Sequence, residues 1–226
     1  MLPTLIHALR TPISGLAMGI EVAAMRLRRH DDDTGFLGPM RRTLQEMSET
    51  LQQLECYVRF ESGEEIVVDA AGYFENAVQS WQAKKPQAPI VWERGADAPT
   101  AQRLALDVDA VAQSVGHLLD NALEAGGEAP ILLSLKQTAP ASVCLSVCNS
   151  GGPIDDDVLA RMTEPFFTTK HRHLGLGLAF AEHIARAHRG QITIDTGAAG
   201  IVVGLHLSDR RAATLGAQKN PPDDVD

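Results

Sequence analysis

Several groups of residues in this chain have the types and spacing to do chemistry. His7 lies one residue past Ile6, a position of an apolar helical stripe, so it sits on the stripe's flank and faces water. With an unperturbed pKa of about 6.5, an exposed imidazole offers a nucleophilic ring nitrogen near neutrality. Thr11 follows four residues on, on the same face, and Pro12 removes the amide that would bond the carbonyl of Ala8. Asn121, within His117-Leu118-Leu119-Asp120-Asn121-Ala122, falls where apolar residues dominate a helical pattern, and its amide oxygen suits a hard cation. Val147-Cys148-Asn149-Ser150-Gly151-Gly152-Pro153-Ile154 reads as a strand running into a Gly-rich loop, where a backbone can approach a ligand closely. Glu164-Pro165-Phe166-Phe167-Thr168-Thr169-Lys170 is followed by Leu174-Gly175-Leu176-Gly177-Leu178 at a helix start, where free amides and the positive dipole end favour phosphate. The Gly-x4-Gly-Lys-Ser/Thr pattern of a P-loop is absent. Taken singly, each group also fits an ordinary surface histidine, a helix-surface amide or a turn.

The elements that must position these residues fall into two textures. Over the first 60 or so residues, Leu2, Ile6, Leu9, Ile13, Leu16, Ile20, Ala23 and Leu27 recur at alternating steps of four and three. Leu37, Met40, Leu44, Met47, Leu51, Leu54 and Val58 do the same after the polar turn at 30–35. That is the seam of a helical hairpin, and a hairpin with one apolar stripe per helix is completed by a second copy into a four-helix bundle. Glu61-Ser62-Gly63-Glu64-Glu65 marks the expected domain boundary. Beyond it, strands are expected at Ile66–Asp69, Ile90–Glu93, Arg103–Val108, Ile131–Lys136, Val143–Cys148, Gln191–Asp195 and Val202–Leu207. Helices are expected around 71–82, 109–125, 155–161 and 176–188, giving an α/β sandwich of one sheet with helices on one face. The domains are therefore 1–62, 63–208 and a polar tail over 209–226 expected to be disordered.

Composition narrows the function. The net charge of −9, with 20 scattered basic residues, argues against nucleic acid as partner. The three cysteines show no metal-type CxxC pair and fit a reducing compartment. Cys144 and Cys148 are expected to share a buried strand face. No apolar run reaches the roughly 20 residues needed to cross a bilayer. This stretch is thus expected to make no membrane contact and to lie in the cytoplasm, any membrane anchor of the full protein being elsewhere.

In this order, the groups resemble the H, N, G1, F and G2 boxes of the sensor histidine kinases of two-component systems. His7-Ala8-Leu9-Arg10-Thr11-Pro12 is similar to the H box, and Glu164–Lys170 closely matches the F box. The resemblance covers residues 2–207. It implies a dimeric helical hairpin joined to an ATP-binding α/β sandwich of the GHKL (Bergerat) type. It also implies an enzyme that phosphorylates itself on His7 from ATP and passes the phosphoryl group to an aspartate of a response regulator receiver domain. By resemblance, Arg10 and Thr11 act beside His7, Thr11 positioning water for dephosphorylation of the regulator. Asn121 would hold Mg²⁺ bridging the phosphates. The nucleotide would be contacted by Asn149, Gly151, Phe167, Thr168, Thr169, Lys170, Gly175, Leu176, Gly177 and Leu178, with 149–153 at the adenine and 164–175 as a lid.

The chain departs from the family pattern at named places. The acidic residue that follows the phospho-acceptor is Ala8, and the Asp that opens the G1 box is Asn149. The loop's second glycine is Pro153, His173 and Leu174 replace the first glycine of the G2 box, and His117 replaces the Asn that opens the N box. These motivate an alternative: a degenerate kinase acting as histidine phosphotransferase or regulator phosphatase with weak or no ATP use. An ATP-hydrolysing relative of gyrase or chaperone type fits less well. That class needs a glutamate one turn before the metal-binding Asn, where this chain has His117.

Overall fold

The computed structural model describes residues 14–15, 18–21, 44, 63–93, 102–126, 129–170, 175–197 and 200–209. The expected hairpin over 1–62, with His7, Arg10 and Thr11, therefore lies outside the described residues apart from isolated helical positions, as does the tail from 210.

From Glu65 on, the elements follow the apolar patterning. They are β1 (Glu65–Asp69), α1 (Ala70–Gln82), β2 (Ile90–Trp92), β3 (Arg103–Asp107), α2 (Val108–Gly126), β4 (Ile131–Ala139), β5 (Ser142–Asn149), α3 (Asp156–Leu159), α4 (Gly177–Ala187), β6 (Ile192–Gly197) and β7 (Gly200–Ser208). Asp69 starts α1 as its N-cap, its carboxylate accepting from the Gly72 amide at 2.9 Å. Phe74, Val78 and Trp81 then repeat along one face and are buried.

The strands form two sheets where one was expected. A five-stranded sheet has the order β2-β4-β5-β7-β6, and β1 pairs with β3 alone as an antiparallel ribbon. Apolar alternation marks a strand but does not choose its partner, and Ile66 and Val67 of the ribbon stay exposed although they read as sheet residues. In the large sheet β2 runs parallel to β4 and the remaining pairs are antiparallel. The β6–β7 hairpin is longer than expected because its pairing continues to Gly197 and Gly200 at the turn.

Helix α2 packs on β4 and β5, α4 packs on β6 and β7, and α1 lies against α2. Val143, Leu145, Val147 and Asn149 alternate along β5 onto one buried face. Cys144 and Cys148 share the opposite face, Cys144 buried and Cys148 half-buried, and burial pushes both thiols up.

One buried polar knot locks α4 to the start of α2. His188, fully buried, faces the Ile184 carbonyl with Nδ1 at 2.8 Å. A carbonyl only accepts, so Nδ1 carries the hydrogen and Nε2 accepts from the Asp107 amide at 3.0 Å. The Asp107 carboxylate in turn accepts from the amides of Ala110 at 3.1 Å and Gly63 at 2.6 Å. The junction between β3 and α2 is thus held from three sides, which fixes the helix that carries Asn121.

Candidate nucleotide-binding site

The site is built along α2. Ala110, Val111, Ser114, Val115, Leu118, Leu119 and Ala122 bury one face of this helix. His117, Asn121 and Ala125 follow at steps of four along its flank. Those steps make a slowly winding stripe with roughly 6 Å of rise between successive members. His117 and Ala125 meet different neighbours.

At the N-terminal end of the stripe is His117. Its ring packs edge-on to Phe180 with centroids 5.6 Å apart. Gly177, the first residue of α4, comes so close that a Cβ there would lie 3.4 Å from the His117 Cβ. A glycine at this position lets the N-terminus of α4 settle onto α2. Burial holds the His117 imidazole below its ordinary pKa, and the nearby Asp120 carboxylate opposes this in part. The folded protein therefore binds a proton at His117 less readily than the unfolded chain does. The sign is fixed: stability from this residue is present above the unfolded pKa of about 6.5 and is lost as pH falls below it. Urea denaturation of His117→Asn should accordingly lose less stability than the unaltered chain between pH 7.5 and pH 5.5, on the order of the window set by that pKa; equal slopes would mean that His117 is not desolvated.

Asn121 is half-buried one turn further along. Its neighbour Asp120 points elsewhere: its carboxylate accepts from the Trp81 indole at 2.8 Å and from the Lys85 ammonium, which also lies over the Trp81 ring. Asp120 thus ties α1 to α2.

At the C-terminal end the helix meets the Gly-rich loop. Asn149 ends β5 and is buried, 5% exposed, and its Nδ2 has no hydrogen-bond partner among the described residues. A buried amide donor without a partner costs about 1–3 kcal/mol unless something supplies an acceptor. Glycines crowd around it. A Cβ on Gly151 would stand 2.7 Å from that Nδ2, 2.8 Å from Ile201 Cδ1 and 3.6 Å from Ala125 Cβ. A Cβ on Gly126 would stand 3.3 Å from Asn149 Cβ, and the Ser150 hydroxyl donates to the Gly126 carbonyl at 2.9 Å. Gly200, at φ +121°, brings the β6–β7 turn against the Asn149 carbonyl, where a Cβ would come within 2.0 Å. Ala125, Gly126, Gly200 and Ile201 were not singled out by sequence reasoning. Of these, Gly126, in a Gly-Gly pair after a helical run, and Gly200, a glycine between two apolar runs, carry turn signals.

The described residues from 161 to 178 show the following local geometry. Phe167 is half-buried under the Arg161 guanidinium, 4.2 Å from its ring centroid, and Arg161 also pairs with Glu164 at 3.0 Å. Phe166 adopts the left-handed region, φ 68°, and is 58% exposed, a conformation that costs an aromatic residue strain. Among the described residues, those of 63–167 and 177–209 form one compact unit, and 168–170 and 175–176 fall outside it. Among the latter, the Thr168 hydroxyl accepts from the Lys170 amide at 3.1 Å, Thr169 is exposed, Gly175 has φ 66° and Leu176 is buried. Leu178, half-buried, follows Gly177 on α4. The structure thus brings Asn121, Asn149, Gly151 and Gly177 to one helix, with Phe167 in the same unit.

A mixed sheet covered by helices, with a Gly-rich loop and a helix start facing one flank of α2, is the architecture of a nucleotide-binding ATPase domain. Residues 106–211 match the family described as "Histidine kinase-, DNA gyrase B-, and HSP90-like ATPase". The tetrathionate sensor histidine kinase TtrS of Salmonella typhimurium is 26% identical over 214 residues, 89% of this chain and 36% of that protein. The catalytic domain of the histidine kinase ThkA, nucleotide-free, superposes with a TM-score of 0.57 at 25% identity, over 65% of this chain and 97% of that one. ThkA in complex with the response regulator protein TrrA superposes with a TM-score of 0.63 at 21% identity, over 92% and 62%. Full-length ShkA in complex with AMPPNP gives a TM-score of 0.70 at 23% identity, over 91% and 45%. Residues 106–211 thus carry an ATP-binding domain of that family, and these likenesses support a sensor histidine kinase catalytic region of two-component signalling. The chain spans 36% of TtrS, so it corresponds to part of such a protein. Among the described residues, no helix is long and apolar enough to cross a membrane.

Proposed function

We propose that this chain is a protein-histidine kinase that phosphorylates itself on His7 from ATP and passes the phosphoryl group to an aspartate of a response regulator. The observation that carries the reading is the stripe on α2. From the buried, unpartnered Asn149 amide beside Ala125, through Asn121, to the α4 start against His117 is roughly 12 Å of helix rise. That span and that order fit a nucleotide lying along the helix, base at Asn149 and Gly151, phosphates toward Asn121 and Gly177. The AMPPNP bound by the full-length ShkA neighbour, and the response regulator bound by ThkA, support the same reading.

Asn121 would hold Mg²⁺ through its amide oxygen, and the ion when bound would neutralise phosphate charge. The amides at the start of α4 would do the same for the phosphate oxygens. Phe167, Gly177 and Leu178, in the same unit as α2, would contact the nucleotide. His7 presents a ring nitrogen to the γ-phosphorus. The N–P bond forms as the bond to the β–γ bridging oxygen breaks, ADP leaves, and the other ring nitrogen gives up its proton. In the domain plan that goes with this, 1–62 is the dimerising hairpin carrying His7, with Arg10 beside it and Thr11 placing water for the reverse hydrolysis. Residues 63–208 are the ATP-binding domain.

Incubation of the purified chain with γ-labelled ATP and Mg²⁺ tests this. Acid-labile label that disappears in His7→Gln is the expected result. A folded protein that binds nucleotide and takes no label would overturn it. That outcome would favour the reading that Ala8 motivates, a phosphotransferase charged only by a phosphorylated regulator.

A further inference from the structure

We infer that Asn149 reads the nucleobase as an amide that can turn over, so that the site takes guanine as well as adenine nucleotides. The inference rests on the nucleotide-site reading above and concerns what distinguishes this chain within it. Asn149 is buried and on the core-facing side of β5, yet its Nδ2 has no hydrogen-bond partner among the described residues. Near it stand Gly151 without a Cβ, Ile201, Ala125 and Gly126, with the Ser150 hydroxyl given to the Gly126 carbonyl. The Nδ2 donor is thus left for a ligand to answer.

The consequence follows from the donors and acceptors of the two purines. Adenine presents an amino donor at position 6 beside the N1 acceptor. An amide answers with Oδ1 accepting and Nδ2 donating. Guanine in the same pose presents the O6 acceptor beside an N1–H donor. The amide rotated by half a turn answers that edge with two bonds as well. A carboxylate, which only accepts, would meet O6 with repulsion in this pose and so would choose adenine. The unpartnered Nδ2 is the part of the side chain that a carboxylate lacks, and both bases satisfy it.

The test is calorimetric titration of the whole chain, with Mg²⁺ present, by ADP, GDP and IDP, repeated on Asn149→Asp. IDP carries the O6 and N1–H of guanine without the 2-amino group. Dissociation constants for ADP and GDP within about 10-fold of each other, with IDP tracking GDP, are expected for the unaltered chain; in Asn149→Asp, GDP and IDP should weaken relative to ADP by roughly 10- to 100-fold. An ADP preference above about 100-fold in the unaltered chain overturns the inference and leaves the nucleotide site standing, given what one bidentate pair discriminates. GDP binding without IDP binding overturns it too, because the 2-amino group would then be what is read. No binding of any of the three removes the nucleotide-site reading and the inference with it. Should the buried carboxylate of Asn149→Asp prevent folding, checked by thermal unfolding, the ratios in the unaltered chain decide alone.

Discussion

Asn121→Ala is expected to reduce ATP-dependent labelling of His7 by roughly 10²–10³-fold, the scale seen when one preorganised electrostatic group is removed from a reacting phosphate or oxyanion. The expectation comes from position. Asn121 stands midway on the α2 stripe, between the base end at Ala125 and Gly151 and the helix start at Gly177. Its amide oxygen suits a hard cation, and Asp120 beside it is tied to Trp81 and Lys85. Alanine is a better helix former, and the side chain is only half-buried. Thermal unfolding should therefore change by no more than about 1 kcal/mol. The two readouts separate the roles. Loss of labelling with intact stability, and with ADP affinity that no longer responds to Mg²⁺, supports a metal ligand. Labelling retained within a few-fold would take Asn121 out of the machinery.

How much of this was legible in the sequence varies with distance along the chain. Strand and helix positions followed from local alternation, so β4, β5 and α2 fall within a few residues of expectation. Asn121, Asn149 and Gly177 were named from residue type in a local pattern. What could not be named locally was partnership. The separate β1–β3 ribbon depends on which strand reaches which. The closeness of Gly200 to the Asn149 carbonyl joins residues far apart in the chain through the β5–β7 register. His188 reads as the polar end of a helix, yet it is fully buried and bonds Asp107 across the domain. Only the folded packing shows that the Asn-for-Asp change at 149 leaves an unanswered donor.

Ala8 is the departure with the most direct kinetic consequence. In the proposed reaction the second ring nitrogen of His7 must lose a proton as the N–P bond forms. The family supplies a carboxylate at the next residue for this, and this chain supplies a methyl group. A positioned base is worth on the order of 10²–10⁴-fold. Ala8→Glu is therefore expected to raise the initial rate of His7 labelling at saturating ATP by about 10²-fold, the low end of that range. Glutamate with an ordinary pKa of about 4.3 is ionised throughout the neutral range, so the gain should persist from pH 6 to 8. Ala8→Gln has nearly the same size and no basicity, and it should give no comparable gain. Equal acceleration by both variants would assign the effect to local shape, and no acceleration by either would mean that proton removal does not limit the reaction in this chain.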